Sequence, residues 1–246
     1  MEIVSVTGIV MSETNYSESS KILNVLTKEY GRVGMIAKGC RNMKSRLRAV
    51  SRKLIYGTFH IYYKKEGLST LISVDIINSL SKTMMNLTAI SYASYIVELI
   101  DQVAKQTEES SLFAILASSL EKIEEGLDPL VITNIVELKC LDFLGVMPSI
   151  DACTICGSNK AIVTLSSDIG GYICSKCYQN EPLVDDKTIK LIRMFYYVDI
   201  EKISKLEVSP AIKKEINTFL DNYYERYTGL YLKSKNFVHK IEKITN

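Results

Sequence analysis

No run of apolar residues in this 246-residue chain approaches the roughly 20 needed to cross a bilayer, so no membrane span is expected. The N-terminus has no positively charged stretch leading into an apolar segment and a cleavage site, which makes a cytoplasmic protein the expectation. Signatures of catalysis are missing as well. There is no GxxxxGK[ST] phosphate loop, no GxGxxG after a strand, no GxSxG elbow and no HExxH pair. Nucleotide hydrolysis, dinucleotide chemistry and the common hydrolase mechanisms therefore lack their parts, and no enzymatic activity is expected. Internal repeats and low-complexity linkers are also absent. With 47% hydrophobic residues, the chain can bury a core as one large domain or two small ones.

A further absence is local. Between Glu29 and Glu66 there is no acidic residue, while Arg32, Lys38, Arg41, Lys44, Arg46, Arg48, Arg52, Lys53, Lys64 and Lys65 are all basic. The net charge of +2 hides this asymmetry: residues 1–86 carry 13 Lys/Arg against 6 Asp/Glu, residues 87–150 carry 3 against 10, and residues 151–246 carry 14 against 12. A one-signed basic run of this kind points to a nucleic-acid phosphate surface on the N-terminal part. A solvated charged face would mix acids with the bases.

Four of the six cysteines form two pairs, Cys153-Thr-Ile-Cys156 and Cys174-Ser-Lys-Cys177, separated by seventeen residues. This is the spacing of a tetrathiolate zinc site, in which each pair supplies half of a tetrahedral coordination sphere. Gly157 after the first pair and Gly170-Gly171 before the second suit tight turns around a metal. A catalytic zinc would keep an open position and would usually include histidine. The two histidines, His60 and His239, are distant in sequence, so one structural zinc ion is expected. Cys40 and Cys140 stand among apolar neighbours and are expected in the core.

Two different periods divide the chain. Strands are expected over Glu2–Met11 (with a bulge or bend at Gly8), Ile22–Thr27, Val33–Lys38, Leu54–Tyr63 and Leu71–Ile76. Five short strands in about 80 residues suggest a small Greek-key barrel, with the OB-fold leading and an SH3-like barrel left open. From Leu87 the apolar spacing becomes helical. Asp128-Pro129, Asp185 or Asp186, and Ser209-Pro210 offer helix starts. The expected class is α+β: a five-stranded OB-fold barrel over 1–80, then a helical domain over 81–246 with a four-cysteine zinc finger inserted at about 151–180. Tyrosines 196, 197, 223, 224 and 227 are expected mainly in helix packing.

Several of these segments together resemble one family. Tyr16-Ser-Glu-Ser, Leu26-Thr-Lys-Glu-Tyr-Gly31, Lys38-Gly-Cys-Arg41 and Lys44-Ser-Arg46 are followed by Leu144-Gly-x-x-Pro148, Cys153-x-x-Cys156-Gly157, Gly170-Gly171 and Cys174-x-x-Cys177. This order resembles the bacterial RecO family of recombination mediators. The resemblance implies binding of single- and double-stranded DNA, annealing of complementary strands, and engagement of RecR and of the C-terminal tail of single-stranded-DNA-binding protein. It also implies a part in loading RecA, with RecF and RecA engaged indirectly, and a nucleoid-associated location. Lys38, Arg41, Lys44 and Arg46 fall in the family's basic barrel segment; Arg48, Arg52, Tyr62 and Tyr63 join them on charge and stacking grounds. The other reading is an OB-fold and zinc RNA-binding module of translation or ribosome assembly.

Overall fold

The computed structural model describes residues 2–107 and 109–245. By compactness the chain divides into two units, Met1–Glu124 and Glu125–Asn246.

The first unit begins with β1 (Glu2–Tyr16), β2 (Ser20–Thr27), β3 (Gly31–Ala37), β4 (Tyr56–Tyr63) and β5 (Ser69–Asn78). They form a closed barrel in the order β1-β2-β3-β5-β4. Closure depends on the length of β1. Its first half pairs with β4, from Glu2↔Tyr63 to Ile9↔Tyr56, and its second half with β2, from Gly8↔Thr27 to Tyr16↔Ser20. A short parallel pairing, Met35↔Ser69 and Ile36↔Thr70, joins β3 to β5. This is the expected OB-fold. Alternating inward residues, among them Val6, Val10, Leu23, Val25, Met35, Phe59 and Ile61, fill its core, and Cys40 is buried with them.

Two details differ from expectation. β1 continues to Tyr16, and its register against β2 slips between Val10 and Ser12, so the bulge is at Met11 and not at Gly8. Gly8 lies in regular pairing, and glycine is required there because a Cβ would stand 2.6 Å from Val25 Cγ1.

Three helices complete the unit: α1 (Ser81–Met85), α2 (Leu87–Val103) and α3 (Ser111–Glu125). They pack with the barrel, α2 against β1. The physical reason is a second apolar face on the strands: Ile9, Met11, Leu26 and Tyr56 are buried outside the barrel core, and Tyr56 meets Phe113 of α3 edge-on with centroids 6.3 Å apart. Glu124 of α3 clamps the start of α1, accepting hydrogen bonds from the N–H groups of Lys82 and Thr83 and from Thr83 Oγ1.

The second unit contains α4 (Pro129–Phe143), β6 (Ile162–Ser166), β7 (Gly171–Cys174), α5 (Asp186–Tyr197), α6 (Pro210–Tyr227) and α7 (Lys233–Thr245). Asp128, Asp185 and Ser209 accept N-terminal amide hydrogens and cap α4, α5 and α6. Helix α4 is buried nearly all round and packs on α5 and α6. Tyr223 and Tyr224 are buried in this packing, and Tyr224 donates to the Glu137 carbonyl at 2.8 Å. Cys140 is fully buried, and that burial pushes its thiol far above the usual range.

Candidate nucleic-acid interface and metal centre

The basic run becomes the connection between β3 and β4. Its first half is a chain of turns in which Asn42, Ser45 and Arg48 donate backbone hydrogens to the carbonyls of Gly39, Asn42 and Ser45. Gly39, with φ +66°, starts the series. Lys38, Arg41, Lys44, Arg46, Arg48 and Arg52 are all exposed, and none is held in an ion pair among the described residues. Arg41 also ties the loop to the β1–β2 turn: its Nη1 donates to Ser17 O at 3.0 Å and its N–H to Ser19 O at 2.8 Å. Arg52 Nε donates to Ala49 O at 3.0 Å.

Two members of the run turn toward α2. Arg32 Nε meets Asp101 Oδ1 at 3.0 Å, and Lys53 Nζ donates to Ser94 O at 3.1 Å. The acids missing from the local sequence are thus partly supplied by α2, which only the folded chain brings close.

Tyr62 and Tyr63 end β4, roughly 20 Å along the strand from where the loop enters it. Being consecutive, they point to opposite faces. Tyr62 is outward, opposite Ile3, while Tyr63 packs against the barrel core and stacks on Tyr30 with centroids 4.5 Å apart. Exposed Lys64 and Lys65 follow directly. The tyrosines therefore neighbour a second, smaller cationic cluster.

One constellation on the barrel resembles a hydrolase triad. Ser5 Oγ lies 2.8 Å from His60 Nδ1, and His60 Nε2 lies 2.8 Å from Asp75 Oδ2. The Asp75 side chain is 78% exposed, so water screens it and the low-dielectric setting that such chemistry uses is missing. The chain of contacts reads as a cross-strand clamp over β1, β4 and β5.

In the second unit the two cysteine pairs meet. The four Sγ atoms lie within 4.8 Å of one another, and Cys156 and Cys174 are 3.6 Å apart. A disulfide would need about 2.05 Å. Four sulfurs about 2.3 Å from one zinc ion would be about 3.8 Å apart, so the cluster fits a tetrahedral metal. Local folding supports it. Gly157 (φ +71°) turns the first pair, and Cys153 N–H donates to Ser158 O at 2.8 Å. Gly170 and Gly171 turn β6 into β7, and Gly171 lies so close to the Ser149 backbone that no Cβ fits.

The thiols are electrostatically unequal. Burial would raise Cys153, but amide hydrogens of Cys156, Cys174 and Ile155 outweigh it and bring the thiol down to about 6. For Cys174 burial is again opposed and outweighed, here by the amides of Cys177 and Lys176 and by neighbouring thiols. Cys177 is pushed up to about 12, first by its hydrogen bond with Cys156 and then by burial and its other thiol neighbours. Amide hydrogens thus favour the charged form at Cys153 and Cys174, the form that binds a metal. Beside it, Asp151 accepts from Arg193 Nε at 2.6 Å and Tyr197 Oη at 2.7 Å, tying the knuckle to α5.

These features define a class: an OB-fold barrel with a cationic β3–β4 loop, followed by a helical unit with an inserted four-cysteine knuckle. The family model described as Recombination protein O N terminal matches residues 1–80, and the one described as Recombination protein O C terminal matches residues 84–236. The DNA repair protein RecO of Bacillus pumilus (strain SAFR-032) is 38% identical over 244 residues, covering 96% of this chain and 94% of the relative. That of Bacillus subtilis (strain 168) is 36% identical over 241 residues, with 96% and 94% covered. That of Listeria monocytogenes serotype 4b (strain CLIP80459) is 33% identical over 243 residues, with 97% and 95% covered. The chain belongs to the RecO family.

Proposed function

We propose that this protein is a non-enzymatic mediator of recombinational DNA repair, working in the cytoplasm in association with the nucleoid. It binds single- and double-stranded DNA and anneals complementary strands. With RecR it assists loading of RecA onto single strands coated by single-stranded-DNA-binding protein, whose C-terminal tail it engages; RecF enters indirectly. The observation that carries the reading is the exposed β3–β4 loop, in which Lys38, Arg41, Lys44, Arg46, Arg48 and Arg52 form no ion pair among the described residues, in a chain that matches RecO over nearly its full length. Phosphate contacts from Lys38, Arg41, Lys44, Arg46, Arg48 and Arg52 carry no base information, so binding is sequence-independent, as annealing of any two complements requires. Tyr62 offers an open ring for stacking, and Tyr63 contributes through the half-exposed stack it makes with Tyr30.

In this reading residues 1–80 hold the DNA and residues 81–246 serve partner exchange. Cys153, Cys156, Cys174 and Cys177 hold one structural Zn²⁺. When bound, the ion would cross-link the knuckle; the amides of Cys156, Cys174 and Ile155 orient the Cys153 sulfur, and the Ser149 backbone holds Gly170 and Tyr172 just before the second pair. The test is competition between gapped DNA and structured RNA for the protein. Preference for gapped DNA supports the proposal, and preference for RNA would favour the translation or ribosome-assembly module instead.

A further inference from the structure

Lys53 differs from the other cations of the basic loop. Its Nζ is turned onto Ser94 O of α2 at 3.1 Å, and the side chain is half-buried. Burial lowers its pKa from the usual lysine value, and the nearby Glu98 and Asp101 of α2 oppose that shift. The residues before it are bonded into one piece. Ser51 donates to Leu47 O through both N–H (3.0 Å) and Oγ (2.7 Å), and Lys21 Nζ reaches Ser51 O at 3.3 Å. Immediately after it, Leu54 is buried at φ +69°, a conformation a leucine keeps only where its surroundings impose it. What imposes it is visible: Leu54 N–H donates to Val10 O at 3.0 Å, and Val10 N–H donates to Ile55 O at 2.9 Å. The end of the loop is therefore pinned to β1, β2 and α2 at once.

We propose that Lys53 is a positioning residue for DNA binding: it touches no phosphate, and its ammonium, held on α2, sets the placement of Arg46, Arg48 and Arg52 just upstream. The inference rests on the reading of the loop as the DNA surface. It also gives α2, which lies within the span of the C-terminal family match, a part in the work of the N-terminal barrel. Losing the brace lets the loop sample other arrangements. Apparent affinity then falls in proportion to the fraction of molecules still in the competent one.

The test uses the full chain with Lys53→Met, which keeps the apolar stem and removes the ammonium. Binding to a single-stranded oligonucleotide is followed over a salt series, beside hydrogen exchange of residues 38–55 in the free protein. The expected result is an affinity about ten-fold weaker, an unchanged slope of log affinity against log salt, and faster exchange over 47–55. Lys53→Arg, which can still donate to Ser94 O, should restore most of the affinity. A slope reduced by about 0.7 would make Lys53 a direct phosphate contact and overturn the inference, and so would unchanged affinity. Lys44→Gln run in parallel separates the two levels: if it leaves both affinity and slope untouched, the loop reading itself falls, and the inference with it. Should Lys53→Met not fold, Lys53→Gln goes through the same series and is read by the same outcomes.

Discussion

Replacing Lys38, Lys44 and Arg46 together by glutamine should change the salt dependence of DNA binding by an amount that can be worked out beforehand. These three are chosen because each is exposed with no ion-pair partner among the described residues, whereas Arg41 also holds Ser17 O and Arg52 holds Ala49 O. Each phosphate contact contributes about 0.7 to the slope of log affinity against log salt for single strands and about 0.9 for duplex. Three lost contacts should therefore flatten the slope by about 2.1 and about 2.7 respectively. Across the four-fold change from 50 to 200 mM salt, the gap between wild type and variant should shrink about 20-fold for single strands and about 40-fold for duplex. Fluorescence anisotropy with several oligonucleotides of unrelated sequence measures this, and the loss should be uniform across sequences. Parallel salt lines for wild type and variant would show that these cations are a solvated face and that the DNA path lies elsewhere.

Elemental analysis of freshly purified, reduced protein should give one zinc per chain, and Cys153→Ser should lower the melting temperature of the helical unit before that of the barrel, because metal binding and folding are coupled; absence of zinc, or cysteines paired as disulfides, would refute this. Glu124→Ala should destabilise the protein by about 1 kcal/mol at neutral pH, the typical cost of a lost helix cap. Burial alone would raise the Glu124 pKa, but hydrogen bonds from Thr83 and Lys82 and the Lys82 charge outweigh it and hold it below the usual value. Its stabilisation is thus full above the unfolded-state carboxyl pKa and lost as pH falls through the folded one, so denaturant midpoints of wild type and variant should converge in acid.

The features legible in the sequence were those carried by local spacing. Alternation and β-prone runs bounded by turn residues pointed to the five strands, capping pairs such as Asp128-Pro129 to helix starts, and two CxxC pairs to the four-cysteine cluster, without any knowledge of the fold. What escaped depends on partners far apart in the chain. Arg32 reads as part of the basic surface until Asp101, 69 residues later, is seen to hold it. The slip at Met11 is a matter of register between two strands, and glycine at position 8 answers to the Val25 side chain across the ladder. Helix α1 is five residues long, too short for a periodic signal. Tyr62 and Tyr63 could have been separated by the strand's two-residue period, which already places neighbours on opposite faces.

Strand annealing tests the central claim most directly. Complementary oligonucleotides are coated with single-stranded-DNA-binding protein, and duplex formation is followed by fluorescence, with and without ATP, for wild type and for the Lys38→Gln, Lys44→Gln, Arg46→Gln variant. The account predicts annealing that is indifferent to ATP and strongly slowed by the three substitutions, since two polyanions must meet on one cationic surface. Annealing that requires ATP, or that proceeds at the wild-type rate in the variant, would contradict it.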